Sequence, residues 1–253
     1  MIWAIPAICD VLPPGEVHLW RVHLLQPAPV VQRCRDLLAP DELNRADRFY
    51  FDKDRNRFTI ARAMLKTVLG NYLKIQPRQV QFIYGPQEKP DLRPEINPSG
   101  FKFNLSHSGE YALLAVTPGL EVGIDIEQFR PDFGTQEIAE RFFSAEEAGI
   151  LCALPEEEKV EAFFKCWTRK EAFVKALGGG LSIPLDSFDV AFAPRTQPAL
   201  LRVARDPQET RRWTVYDLDA PPGYAAALIV EGREHILRFW EWSGKELGKW
   251  VNW

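Results

Sequence analysis

Two short segments of the chain carry carboxylates and lysines at spacings suited to phosphate chemistry. In the first, GIDIE at residues 123–127, the alternation of a strand would put Asp125 and Glu127 on one face. Carboxylates placed side by side repel each other unless a cation lies between them. Mg²⁺ is commonly held by one or two carboxylates together with phosphate oxygens. The pair alone leaves a second interpretation open, which is an exposed polar strand face.

The second segment is WTRKEAFVK at residues 167–175. On a helix, Trp167, Glu171 and Lys175 follow one another at i, i+4 and i+8 on one face, with Lys170 beside them. Glu171 and Lys175 alone would form an ordinary surface pair worth about 0.3–0.5 kcal/mol. The same helix carries several aromatic residues, so we expect much of it to be buried and its charges to line a cleft.

Other residues of the first half could meet an anionic ligand. His107 falls in the predicted turn SHSG at 106–109, where an imidazole and backbone N–H groups suit a phosphate, although an ordinary turn histidine fits equally well. A basic group is interleaved with aspartates and a glutamate, so a salt-bridged helical face is its alternative interpretation. This group consists of Arg45, Arg48, Lys53, Arg55, Arg57 and Arg62.

Composition limits the class of protein. The chain has 253 residues, 46% hydrophobic and 26% charged, as expected for a globular protein of one large or two small domains. A net charge of −4 argues against a nucleic-acid partner, and no apolar run approaches the roughly 18 residues of a transmembrane helix. The first ten residues lack the basic start of a signal peptide. Four scattered cysteines fit free thiols in a reducing cytosol, which predicts a cytoplasmic protein without a membrane partner.

The apolar pattern divides the chain into two halves of similar order. Strands are predicted at residues 17–25, 80–84, 102–105, 111–117, 121–127, 188–192, 199–203, 213–218, 224–230 and 236–240, and helices at 41–50, 54–73, 144–154 and 155–177. APDE at 39–42 and SAEE at 144–147 each precede a long helix, a faint internal repeat. We therefore predict two α+β halves, 1–119 and 120–253, each with helices packed on an antiparallel sheet. The second half would end in a Trp-rich tail.

Taken together, these segments resemble the Sfp-type 4'-phosphopantetheinyl transferases. The matching segments are FNLSHSGEYALLAV at 103–116, VGIDIE at 122–127, RFFSAEEAGIL at 141–151 and FFKCWTRKEAFVKALGGGLSIPLDSFDV at 163–190, with Tyr84-Gly85 and Lys89-Pro90 before them. The resemblance spans roughly residues 40–190. It implies a pseudo-twofold fold in which one chain supplies two similar halves of one cleft, and hence a monomer.

The resemblance implies transfer of the phosphopantetheine arm of coenzyme A to a serine of an apo acyl or peptidyl carrier protein, with release of adenosine 3',5'-bisphosphate. It assigns Asp125, Glu127 and Glu171 to Mg²⁺, and Lys170 and Lys175 to phosphate charge. Glu171, Lys175 and Asp125 would be catalytic, with Glu171 or a water held by it as the base. Further coenzyme A contacts would come from Arg45, Arg48, Arg57, Lys89, Ser106, His107 and Glu147. Carrier proteins are commonly acidic, so a basic or apolar docking strip is also expected.

Two residues depart from the family pattern, and two other function classes stay open. Glu88 precedes the Lys-Pro pair where relatives often have glycine, and Glu42 stands where some relatives have a basic residue. A non-catalytic homologue could bind coenzyme A or a carrier protein without transfer. An unrelated Mg²⁺-dependent phosphohydrolase could use the same carboxylates. The intact carboxylates and lysines of the two main segments favour the transferase.

Overall fold

The computed structural model describes residues 3–5, 11–85, 89–130, 134–244 and 247. Along the chain the helices and strands are β1 (Glu16–His23), α1 (Ala28–Arg35), α2 (Pro40–Asp47), α3 (Asp52–Leu73), β2 (Phe82–Tyr84), β3 (Pro90–Leu92), β4 (Lys102–Ser108), β5 (Tyr111–Thr117), β6 (Val122–Gln128), α4 (Thr135–Phe142), α5 (Ala145–Ala153), α6 (Glu156–Leu177), β7 (Phe188–Ala191), β8 (Ala199–Val203), α7 (Glu209–Arg212), β9 (Trp213–Asp217), β10 (Tyr224–Glu231) and β11 (Ile236–Trp242). None of the helices in these ranges is long and apolar enough to cross a membrane.

The chain divides into two compact units. Unit 1 takes the described residues within 1–85, 90–119 and 236–253, and unit 2 takes those within 86–89 and 120–235. The sheet of unit 1 has the order β11-β1-β5-β4, and that of unit 2 the order β6-β10-β9. Helices and mainly antiparallel sheets are thus segregated along the chain, so the predicted α+β class is confirmed.

The core of unit 1 forms between its long helix and its sheet. The middle and end of α3 are buried almost all round, and Met64, Val68 and Tyr72 join Trp20 of β1 and Leu114 of β5 in one apolar cluster. β5 has the sequence YALLAVT and is buried along nearly its whole length, which explains why it reads as a continuous apolar run instead of an alternating one.

The core of unit 2 forms between α6 and the sheet of β6, β10 and β9. Phe163, Phe164 and Phe173 of α6 belong to its apolar cluster, together with Ala227 and Ile229 of β10. The helix ends at Gly178, whose φ of 69° is the left-handed conformation that glycine adopts without strain. The GGG sequence therefore terminates the helix that carries the WTRKEAFVK segment.

The two units share one element order. Each begins with a strand and continues with two short helices, a helix of 22 residues, a two-stranded hairpin and two further strands. In unit 1 β5 pairs antiparallel with β1 and β4, and in unit 2 β10 pairs antiparallel with β6 and β9. The internal repeat that the sequence suggests at 39–42 and 144–147 therefore extends from β1 to β5 in unit 1 and from β6 to β10 in unit 2, while α7 and β11 lie outside it.

The end of the chain departs from the predicted division. We expected residues 236 onward to belong to the second half, but β11 pairs in parallel with β1 and lies in unit 1. Its last residue, Trp242, is buried in the unit 1 core. The prediction was wrong because strand pairing between residues more than 200 positions apart leaves no local signal. Trp250 and Trp253 of the predicted tail lie outside the described residues.

Candidate active site

A glycine lets strand β6 lie directly against the backbone of helix α6. A Cβ atom at Gly123 would stand 1.9 Å from the carbonyl oxygen of Ala172 and 2.5 Å from the amide nitrogen of Ala176. Any larger residue would force the strand away from the helix. The close approach brings the carboxylates of β6 to the part of α6 that carries Glu171 and Lys175.

Asp125 is buried beside Lys175. It is 2% exposed, and its Oδ1 accepts a hydrogen bond of 2.6 Å from Lys175 Nζ. The residues opposite Asp125 and Glu127 on the neighbouring strand β10 are Ala227 and Ala225. Small side chains at these two cross-strand positions leave room for both carboxylates. The predicted common face of Asp125 and Glu127 follows from their alternation on β6.

Glu171 lies close enough to the other charges to respond to them. Burial raises its pKa above the ordinary value, the carboxylate of Asp125 raises it further, Lys175 opposes this rise, and Glu127 adds to it. These effects follow from desolvation and from nearby like charges. The structure therefore brings together Asp125, Glu127, Glu171 and Lys175, which the sequence places in two segments some 40 residues apart.

The four residues do not form a ready metal cluster. Throughout the described ranges, no three side chains of His, Cys, Asp or Glu converge as ligands of a metal ion. The positive charge next to Asp125 is instead the ammonium group of Lys175. The donor set nevertheless fits Mg²⁺ chemically, because three crowded carboxylates offer the hard oxygen ligands that this ion prefers and would gain from its charge.

Lys170 and Glu147 differ from the prediction, since both are inside unit 2. Lys170 Nζ is 2.6 Å from Glu147 Oε2 and donates to the backbone oxygens of Leu185 and Phe188 at 2.7 and 2.6 Å. Glu147 Oε1 accepts from the backbone N–H of Val190 at 2.9 Å. The side chains are 0% and 2% exposed. Because these contacts enclose both side chains inside unit 2, the pair joins α5, α6 and β7 instead of facing a phosphate.

Glu147 also begins helix α5. Its Oε2 accepts from the backbone N–H of Ser144 at 3.1 Å, and its own N–H donates to Ser144 Oγ at 3.2 Å. This is the capping box that the sequence predicts. One carboxylate therefore serves the start of α5 and the buried lysine together.

Lys89 lies at the end of α6. It belongs to unit 2, and its Nζ donates to the backbone oxygen of Lys175 at 2.6 Å. A lysine at this position satisfies a carbonyl of the last helical turn and opposes the negative end of the helix dipole. The neighbouring Glu88 lies outside the described residues.

Ser106 and His107 are part of strand β4 in unit 1, and not of a turn as predicted. They pair with Leu113 and Ala112 of β5, and the turn follows at Gly109, whose φ is 54°. Because side chains alternate along a strand, the two residues point to opposite faces: Ser106 is buried and His107 is exposed. Only His107 presents its side chain to solvent.

The predicted arginines lie on and between α2 and α3 of unit 1. Arg45 is exposed and its guanidinium lies 5.6 Å from the ring centre of Phe58. Arg48 is exposed directly after α2, and Arg57 forms an ion pair of 3.5 Å with Asp54. The structure thus keeps all three on neighbouring elements of one unit.

The structure adds a buried pair that the sequence analysis missed. Glu42 Oε2 accepts from Lys66 Nζ at 2.9 Å and from the backbone N–H of Ala39 at 2.8 Å. Both side chains are almost fully buried. Glu42 is the third residue of α2, as Glu147 is of α5, and Lys66 follows the first residue of α3 by 14 positions, as Lys170 does in α6. Glu42 is therefore a structural residue, and the acidic repeat was the signal that could have revealed it.

Comparison with known proteins assigns both units to one class. Residues 28–119 match the family model described as "4'-phosphopantetheinyl transferase, N-terminal", and residues 121–229 match that of the "4'-phosphopantetheinyl transferase superfamily". The chain is 41% identical over 227 residues to the 4'-phosphopantetheinyl transferase HetI of a Nostoc species, covering 90% of this chain and 92% of HetI.

Two Bacillus proteins give the same result. The chain is 32% identical over 203 residues to the 4'-phosphopantetheinyl transferase Sfp of Bacillus subtilis, covering 79% of this chain and 84% of Sfp. It is 33% identical over 210 residues to the 4'-phosphopantetheinyl transferase psf-1 of Bacillus pumilus, covering 81% and 85%. This chain therefore belongs to the 4'-phosphopantetheinyl transferase family, and its activity is phosphopantetheinylation of a carrier protein.

Proposed function

We propose that this chain transfers the phosphopantetheine arm of coenzyme A to a serine of an apo acyl or peptidyl carrier protein, at the carboxylates and lysine gathered where β6 meets α6. The observation that carries this proposal is that Asp125, Glu127, Glu171 and Lys175 lie together where the close contact at Gly123 brings β6 against α6. A cytoplasmic, monomeric enzyme is part of the proposal.

Mg²⁺, which Asp125, Glu127 and Glu171 would hold, would supply positive charge to the pyrophosphate oxygens as the phosphorus is attacked. Lys175 adds a second positive charge at the same place and is held by Asp125. Such groups accelerate transfer when they stabilise the charge that develops on the leaving bisphosphate.

Glu171 is our candidate base for the serine hydroxyl. Burial together with the neighbouring carboxylates raises the pKa of Glu171 when no metal ion is bound. Bound Mg²⁺ would oppose this rise, so a water held by Glu171 is the other candidate for the base. Asp125 is less suited to this step because Lys175 Nζ already donates to it. Glu171, or a water that it holds, therefore accepts the proton, and Asp125 orients the lysine.

The remaining contacts of coenzyme A are proposed for residues of both units. Arg45, Arg48, Arg57 and His107 of unit 1 would meet phosphate groups, with Ser106 behind His107 on the same strand. In unit 2, Lys89 could serve a phosphate as well as the end of α6. Lys170 and Glu147 are not among these contacts, because each is enclosed by protein partners.

The proposal is tested by mass. The protein is incubated with coenzyme A, Mg²⁺ and an apo acyl carrier protein, and the intact mass of the carrier is recorded. Wild type should add one phosphopantetheine group, and Asp125→Ala and Glu171→Ala should add none while staying folded. Glu161→Ala is the matched control, since Glu161 lies on the same helix in an exposed pair with Lys165. Chelation of the metal should stop the reaction, and added Mg²⁺ should restore it.

Other outcomes would contradict the proposal. Near-normal transfer by either carboxylate variant would rule out this site. Tight binding of coenzyme A without a mass gain would point to a binding homologue, and release of free phosphate would point to a phosphohydrolase.

A further inference from the structure

Two buried cations share one carboxylate in unit 1. Lys66 Nζ lies 2.9 Å from Glu42 Oε2, and Arg62 Nε lies 3.7 Å from Glu42 Oε1. The side chains of Lys66, Arg62 and Glu42 are only 1%, 8% and 5% exposed. Arg62 Nη1 is buried and has no hydrogen-bond partner among the residues that the structure describes. Because a buried charge is costly unless an opposite charge compensates it, this surplus of positive charge favours a second anion nearby.

The equivalent lysine of unit 2 is enclosed more completely. In addition to its carboxylate partner, Lys170 Nζ donates to the backbone oxygens of Leu185 and Phe188. Within the described ranges, Lys66 Nζ has Glu42 Oε2 as its single acceptor. An ammonium group has three N–H donors, so two of those on Lys66 are left for other acceptors. The repeated architecture can surround such a lysine with protein oxygens, and unit 1 does not use this arrangement.

A cavity of about 330 Å³ adjoins the lysine of unit 1. The start of α2 and strand β2 line it, and Lys66, Arg78 and Arg93 contribute positive charges. Both arginines are exposed, so a ligand can reach them from solvent. The acidic residues that line the cavity are Asp41 and Glu42. Its volume is within the range of small-molecule binding sites.

A buried arginine adds to the positive charge beside the cavity. The guanidinium of Arg62 lies 5.0 Å from the ring centre of Phe82, and Phe82 lines the cavity. With Arg62 included, the described residues at the cavity hold four cations and two carboxylates. This surplus matches a phosphate monoester, which carries a charge of about −1.5 to −2 at pH 7. Water could accept hydrogen bonds from the same N–H groups, but it would supply no negative charge.

We propose that this cavity is a binding site for a phosphate-type oxyanion, held by Lys66, Arg78 and Arg93. The planar guanidinium groups suit phosphate because each can donate two parallel hydrogen bonds to its oxygens. Arg62 adds its charge from inside unit 1. None of these four residues is among the coenzyme A contacts proposed above. The site is defined by binding alone and does not depend on the proposed transfer.

Calorimetric titration of the whole chain with inorganic phosphate tests the site. Arg78→Ala and Arg93→Ala should each weaken binding at least tenfold, because each removes a charge-assisted hydrogen bond. Asp41→Asn should tighten binding, because it removes a carboxylate that repels the anion. Arg205→Ala is the matched control, since Arg205 is an exposed arginine of unit 2, and it should leave the affinity unchanged. All four positions are exposed, and thermal unfolding verifies that each variant stays folded.

A second titration identifies the source of the phosphate group, which is either free phosphate or coenzyme A. Coenzyme A is titrated without any carrier protein, in the presence and absence of saturating inorganic phosphate. If phosphate and Arg93→Ala both weaken the binding of coenzyme A, the site takes a phosphate group of coenzyme A. If Arg93→Ala weakens only the binding of inorganic phosphate, and both ligands bind together, the site takes free phosphate. Either result supports an oxyanion site.

Two other results would overturn the site. One is that the affinities for phosphate and coenzyme A are unchanged in Arg78→Ala, Arg93→Ala and Asp41→Asn. The other is that folded wild type binds neither ligand. Both would mean that water fills the cavity. Because no carrier protein is present, these results are separate from the test of transfer: a chain that transfers normally but shows unchanged affinities keeps its proposed function and loses this site.

Discussion

At position 123, the presence of a single hydrogen atom in place of a side chain sets the distance between strand β6 and helix α6. Gly123→Ala would put a methyl group 1.9 Å from the backbone oxygen of Ala172. We expect the strand and helix to move apart, and this overpacking should lower the free energy of unfolding by about 1–3 kcal/mol. The rate of transfer should also fall, because the carboxylates of β6 would lie farther from Glu171 and Lys175. Urea unfolding measures the first effect, and the mass of the carrier measures the second.

Gly149 provides the control for this prediction. It is exposed on α5, and a Cβ atom there would meet no atom within 4 Å. Gly149→Ala should leave transfer unchanged and stabilise the protein by about 0.5–1 kcal/mol, because alanine favours the helix. Equal effects of the two substitutions would show that the contact at Gly123 does not matter.

The buried pair of Lys170 and Glu147 gives a second prediction. Lys170→Met leaves Glu147 buried without its counter-charge and should cost about 3–5 kcal/mol. Adding Glu147→Gln removes the stranded charge and should recover part of that loss. Urea midpoints of the single and double variants measure both. A variant of normal stability with a raised KM for coenzyme A would contradict the structural role.

Only part of the candidate site could be predicted from the sequence, because local spacing does not report contacts between distant segments. Asp125, Glu127, Glu171 and Lys175 are recognisable from spacing within a strand or a helix, and the structure brings them together. Lys170 sits beside Glu171 in sequence and looks no different from Lys175. What separates the two lysines is a carboxylate on another helix, at Glu147, and no local pattern reports that contact.

At the scale of elements, the two long helices α3 and α6 occupy equivalent places in their units, but only α6 carries a carboxylate and a lysine of the candidate site. Glu171 and Lys175 follow the first residue of α6 by 15 and 19 positions, and the same steps in α3 lead to Thr67 and Asn71. Both are buried, and the hydroxyl of Thr67 donates to the backbone oxygen of Ala63 at 2.7 Å. The repeated architecture therefore carries the residues proposed for catalysis in unit 2 and buried packing residues in unit 1.

Strand β1 is joined to α3 by a buried chain of polar groups. His18 Nδ1 lies 2.7 Å from the hydroxyl of Tyr72, and its Nε2 lies 3.0 Å from Glu16 Oε2. Trp20 Nε1 donates to the same hydroxyl at 3.1 Å. A neutral imidazole satisfies both contacts, because one nitrogen donates to the carboxylate and the other accepts from the hydroxyl.

These polar contacts predict that unit 1 becomes less stable to unfolding in acid. Burial lowers the pKa of His18 below 6.5, against the effect of Glu16, so the unfolded chain takes up a proton on His18 that the folded chain does not. The contribution of neutral His18 to the free energy of unfolding is therefore complete above pH 6.5 and declines as the pH falls below that value. A hydrogen bond from His18 lowers the pKa of Glu16, which adds a second decline below about pH 4.5.

Urea midpoints of wild type and His18→Gln, recorded between about pH 7.5 and pH 5.5, test the sign. Wild type should lose stability across this range, and the variant should lose less because glutamine does not titrate. A wild-type midpoint that rises toward pH 5.5 would show that other groups dominate.

The elements themselves were predicted unevenly. Long helices and apolar strands appear near their predicted positions, since their periodicity extends over many residues. The short helices α1 and α4 were missed, because eight residues give barely two turns of pattern and α1 carries Pro29 in its first turn. His107 was predicted in a turn because Ser, Gly and His are common there, but pairing with β5 extends β4 to Ser108.

At the scale of the whole molecule, unit 1 depends on both ends of the chain. β11 lies beside β1 from Glu16 to Val22, and Trp242 fills part of the core. A chain that ends at residue 235 should expose the edge of β1 and become insoluble, whereas one that ends at residue 247 should fold. Soluble yield and thermal unfolding compare the two, and a soluble, cooperatively unfolding shorter chain would contradict this.

The place of β11 also sets the order in which the protein can be completed during synthesis. A ribosome delivers β1 early, but the residue that pairs with Glu16 is Ile236, about 220 residues later. At roughly 5–20 residues per second this interval is on the order of ten to forty seconds. Every described strand and helix of unit 2 emerges within it. The unit translated second is thus the first that can finish folding, and the nascent chain must keep the open edge of β1 from aggregating until β11 appears.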